Sequence, residues 1–80
     1  MSKPFMIRFP FKGQRCYANV YRHEAGVREY HVQIIDPQFH SGLPPRIVLQ
    51  YADGRFRLSD PPDLSGVVLE MIIAEIEKRL

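Results

Sequence analysis

Residues 5 to 11 read Phe-Met-Ile-Arg-Phe-Pro-Phe, with an aromatic or aliphatic side chain at every odd position. That period of two belongs to a strand with one face in a core and the other in water. Lys12-Gly13 then offers a two-residue turn. Folding back there sets Phe9 against Cys16, Ile7 against Ala18 and Phe5 against Val20, with Arg8 beside Tyr17. Every apolar pair shares one face, whereas a slip of one residue would oppose Arg8 and Cys16 and mix the faces. A chain that begins this way is committed to an antiparallel sheet with a single dry side. Pro10 has no N–H to give to a ladder, which places this strand at a sheet edge or a bulge.

The second strand, about Gln14 to His23, turns Cys16, Ala18 and Val20 inward, and these side chains are small enough to let a helix come close. Glu24-Ala25-Gly26 reads as a three-residue loop, since glycine adopts the left-handed conformation without penalty. This loop pairs Val20 with Tyr30, Ala18 with Val32, Cys16 with Ile34 and Tyr21 with Glu29. A two-residue Ala25-Gly26 turn would set Val20 against His31 and is rejected. Residues 36 to 46 hold three of the seven prolines and form the long loop. A strand follows at Ile47 to Tyr51, and Asp53-Gly54 is the strongest hairpin signal in the chain, because a type I′ turn needs positive φ at both positions. It pairs Tyr51 with Phe56 and Leu49 with Leu58, leaving Gln50, Arg55 and Arg57 outward.

Asp60-Pro61-Pro62-Asp63 reads as a helix start, with proline tolerated in the first turn and carboxylates suited to the positive helix end. At about 100° per residue, Leu69, Ile72, Ile73, Ile76 and Leu80 make one stripe that should cover the sheet. Glu70 and Glu77 face water, and Gly66 weakens the first turns by up to ~1 kcal/mol relative to alanine. Leu64, Val67 and Met71 form a second, narrower stripe. Either Phe39 and Leu43 from the long loop cap it, or it is an exposed apolar patch suited to a homodimer contact. The expected fold is a two-layer α+β domain: a meander-like antiparallel sheet of five strands, with one carboxy-terminal helix on one face. The long loop allows the fourth strand to dock beside the third or the first.

Length fits one small domain spanning residues 1 to 80. The lone Cys16 has no intramolecular disulfide partner. Met1-Ser2-Lys3-Pro4 lacks the apolar run of a secretory signal, and the polar-free run Met71 to Ala74 is far short of the ~20 residues that span a bilayer. A cytoplasmic protein with no membrane segment is expected. Net charge is +2, unevenly placed: residues 1 to 57 hold nine Lys or Arg against four acids, and residues 58 to 80 hold two against five. Such asymmetry points to a partner of one sign, or simply to a basic sheet lying on an acidic helix.

Catalytic and cofactor signals are weak. His23, His31 and His40 lack the tight spacing and the second cysteine of a zinc site. Cys16 falls under the helix, where a thiol behaves as a small hydrophobe. Ser41, Ser59 and Ser65 sit in loops or at the helix start, outside any nucleophile elbow. No phosphate-cradling glycine cluster exists. A pocket joining His40, Asp36 and Ser41 is the arrangement that would revive an enzyme reading. The most informative constellation is the outer sheet face. Arg8, Arg15, Tyr17, Asn19 and Tyr21 from the first hairpin share it with His23, His31, Gln33, Gln50, Arg55 and Arg57. Stacking planes, guanidinium forks and amides together are the chemistry of single-stranded nucleic-acid binding on sheets, although no RNP motif is present and the pI of 8.9 is only modestly basic. An ordinary wet sheet face also carries such residues. The expectation is a non-catalytic interaction or regulatory module without cofactor or metal. It would meet a protein partner through this face or an unpaired edge strand, with single-stranded RNA or DNA as the alternative partner.

Overall fold

The structure is a computed structural model that describes residues 3–80, with the backbone alone at Ala25. Met1 and Ser2, on which part of the amino-terminal reading falls, lie outside the described residues. Five strands, β1 (Phe5–Phe11), β2 (Gln14–Ala25), β3 (Val27–Ile34), β4 (Arg46–Ala52) and β5 (Arg55–Asp60), pair antiparallel in chain order, and one helix, α1 (Gly66–Glu77), follows. The expected α+β meander with a carboxy-terminal helix is therefore the fold observed. β4 docks beside β3, so β1 and β5 are the two edges, and Pro10 sits on an edge strand where its missing donor costs no ladder bond. No described helix is long and apolar enough to cross a membrane.

The β1–β2 register is the one that the hydrophobic alternation selects, with Phe5 on Val20, Ile7 on Ala18, Phe9 on Cys16 and Arg8 on Tyr17. Lys12 and Gly13 take φ of 49° and 77°, and Asp53 and Gly54 take 56° and 75°. Both two-residue turns thus have positive φ throughout, as type I′ geometry demands. Tyr51 meets Phe56 and Leu49 meets Leu58, while a bulge after that pair brings Asp60 level with Val48.

The β2–β3 pairing corrects the sequence reading. Val20 meets Val32, Ala18 meets Ile34 and Tyr21 meets His31, two residues away from the expected partners. Instead of a three-residue loop, pairing continues to Ala25 and Val27 around Gly26, whose φ is 92°. A slip of two preserves both faces, so the apolar pattern does not distinguish the registers. The observed one sets Glu24 opposite Arg28, whose Nε donates to its Oε1 at 2.8 Å. It also leaves β2 two residues longer than expected.

The helix start is corrected as well. β5 runs to Asp60, consistent with the extended backbone that a following proline imposes. Pro62 and Asp63 form a turn closed by the Leu64 N–H donating to the Pro61 carbonyl at 3.3 Å. Ser65, extended at φ −55° and ψ 133°, is the cap, and Gly66 is the first helical residue. The buried helix stripe is Val68, Ile72 and Ile76, with Leu69 and Ile73 half-buried beside it, while Leu80 is 59% exposed. Val68 belongs to the stripe because Val68, Ile72 and Ile76 follow one another at four-residue spacing, and Leu80 leaves it because the helix ends at Glu77.

α1 lies closest to β1 among the strands. Arg79 Nη2 donates to the Met6 carbonyl at 3.3 Å, and Leu64 and Val68 share a groove with Phe11 and Leu43, so the helix runs antiparallel to β1. Its stripe joins a single core with Ile7, Phe9, Cys16, Ala18, Val20, Val32, Ile47 and Leu49. Leu43 is buried and seals one end of this layer, but Phe39 is 70% exposed and caps nothing. Leu64 and Met71 pack against the core, so of the second stripe only Val67, 68% exposed, faces solvent.

Candidate binding face

Side chains alternate across each strand, so the face turned away from the core is fixed by the registers. β1 contributes Arg8. The central strand β2 contributes Arg15, Tyr17, Asn19, Tyr21 and His23, and β3 contributes Glu29, His31 and Gln33. Beyond them, β4 and β5 supply Arg46, Gln50, Arg55 and Arg57. Every binding-face candidate read from the sequence lies on this surface. Tyr17 is 39% exposed, Tyr21 is half-buried, and all five arginines of the face are exposed.

One member, Arg46, was not singled out in the sequence, and Glu29, read there as the partner of Tyr21, lies opposite His23. Arg46 pairs with Gln33, a position fixed only once β4 docks on β3. Arg46 Nη2 lies 3.0 Å from His31 Nδ1, and His31 Nε2 lies 3.0 Å from Glu29 Oε1. A guanidinium has donors only, so Nδ1 must accept, and the proton of the neutral imidazole resides on Nε2 and is donated to Glu29. The His23 ring stacks obliquely on His31 with centroids 4.2 Å apart. The Glu29 carboxyl is held below its ordinary range, chiefly by the hydrogen bond from His31. Desolvation opposes this, while attraction by the two imidazoles when protonated and the Gln50 amide add to it.

Charge is segregated. Five of the eleven Lys and Arg residues sit on this face, against Glu29 and, past the bulge, Asp60. Glu70 and Glu77 lie on the helix, on the other side of the sheet, while Glu75 reaches the β1 edge and pairs with Lys78 at 2.8 Å. The asymmetry in the sequence is therefore a spatial one. Clefts open at both edges of the face. One gathers Gln50, Arg55 and Arg57 at the β4–β5 hairpin. The other, at the β1 edge, brings Arg8 and Tyr17 together with Glu75, Lys78 and Arg79 from the helix.

Elsewhere the chemistry is structural. Cys16 is fully buried, and burial pushes its thiol up, away from the thiolate that a nucleophile needs. A shallow pocket brings His40 and Ser41 beside Phe11, Lys12, Gln14 and Phe39 and leaves Asp36 outside it. Among the described residues, no three His, Cys, Asp or Glu side chains converge on a common metal position. The chain matches no protein family, curated protein or solved structure.

Proposed function

We propose that this chain is a non-catalytic binding module whose outer sheet face receives a polyanionic macromolecule. The observation that carries this reading is the segregation of charge: five exposed arginines against two carboxylates, one of them already engaged by His31. The fold does not need those arginines, since exposed ion pairs contribute little to stability. A one-signed field attracts an oppositely charged partner and speeds its encounter.

Retention on an immobilised sulfated polyanion, eluted with a salt gradient, tests the reading. The wild-type protein should elute above physiological salt. Arg55→Gln with Arg57→Gln should elute markedly earlier. Arg22→Gln with Arg28→Gln makes the same change in net charge on the opposite side of the sheet and should elute close to wild type. Equal shifts for the two double variants would reduce the effect to net charge and overturn the assignment to this face.

A further inference from the structure

Resting on that reading, we infer that the polyanion is single-stranded nucleic acid, with bases stacked on Tyr17 and Tyr21 and phosphates held by the arginines at the rim. β2 presents Arg15, Tyr17, Asn19, Tyr21 and His23 in one row, at alternate positions of a strand interior to the sheet. Four residues at about 3.3 Å each separate the two tyrosines by about 13 Å, which leaves space for bases between and beside them. The residues between them are amides: Asn19 is flanked by Gln33, and Gln33 in turn by Arg46. Amides can read the polar edges of unpaired bases, and aromatic planes accept any base by stacking.

Arg15 ends this row, and Arg8 stands beside Tyr17 on β1. Arg79 extends the basic rim past Tyr17 into the cleft at the β1 edge, where Lys78 is paired with Glu75, and Arg55 and Arg57 line the opposite cleft. A chain crossing the sheet from one cleft to the other passes Tyr17, Asn19, Tyr21 and the His23–His31 pair, with an arginine within reach along the way. A duplex keeps its base faces inside the stack and cannot use the tyrosines. An acidic peptide has no flat aromatic groups to lay on the two tyrosines, and the clefts that flank this face mix arginines with apolar side chains and one carboxylate each, Asp53 in one and Glu75 in the other.

Fluorescence anisotropy with three labelled probes decides the matter: a random-sequence single-stranded RNA, a duplex of the same length, and poly-glutamate of matched charge. The single strand should bind tightest, with a steep fall in affinity as salt rises. Tyr17→Ala with Tyr21→Ala should weaken single-strand binding by at least about fivefold for each lost stack, while Tyr17→Phe with Tyr21→Phe should keep most of it. Circular dichroism checks that the variants fold, and the three-probe comparison on the wild-type protein needs no variant at all. Equal affinity for poly-glutamate and RNA, or an alanine pair that binds as the wild type does, would overturn the nucleic-acid inference and leave the polyanion reading standing. Failure to bind any of the three at low salt would overturn both.

Discussion

The two faces of one sheet follow different rules. The inner face is graded strand by strand: large Ile7 and Phe9 lie on β1, the strand nearest the helix, small Cys16, Ala18 and Val20 on β2, and larger Ile47, Leu49 and Tyr30 farther along. Tyr30 packs on Phe56 at 5.6 Å and edge-on to Tyr51 at 6.4 Å. The outer face has no such gradation. Its order is electrostatic, with arginines at the rim, aromatics in the row between, and one carboxylate tied up by histidine. Stability requires the first arrangement and is nearly indifferent to the second, which is why the proposed binding is assigned to the second.

The comparison is sharpest where its predicted effects are largest. Ile72→Ala, in the centre of the buried helix stripe, should cost about 2–5 kcal/mol in urea unfolding, whereas Gln33→Ala on the outer face should stay within about 0.5 kcal/mol. Comparable costs would break the division of labour between the faces. Ala18→Leu adds volume where the sheet is already closely covered and should destabilise by about 1–3 kcal/mol. A neutral result would mean that the helix stands off from β2. The smallest effect belongs to Glu29. Its carboxyl is depressed in the fold, so its contribution is present above the unfolded-state value and lost as pH falls through the folded one. Glu29→Gln should therefore flatten the acid limb of the stability–pH curve, and an unchanged limb would show that the His31 contact has no energetic consequence.

Much of this molecule is legible in its sequence because alternation and turn chemistry are local. Both type I′ turns and the β1–β2 and β4–β5 partners follow from Lys12-Gly13 and Asp53-Gly54 alone. The β2–β3 register was not legible, because a two-residue slip leaves every side chain on its proper face and alternation does not choose between the two. The helix start was obscured by Pro61 and Pro62, which suit a first helical turn but here serve the bend that precedes it, and Ser65 takes the cap position without a side-chain hydrogen bond. On the outer face, the hairpin residues were readable from alternation. Arg46 and the cleft at the β1 edge were not, since they depend on where β4 docks and on how the helix end meets β1.

The closing of the last element onto the first also sets an order of events in synthesis. Each strand finds its partner in the segment made just before it, so the sheet can assemble progressively through closures of short sequence separation. The helix docks on β1, the earliest strand, and only after all five strands have been made. Until then Ile7, Phe9 and Ala18 are without the cover that the helix stripe supplies. A nascent chain stalled before Gly66 would carry a finished outer face on one side and an exposed apolar sheet on the other. Its hazard is therefore aggregation during translation.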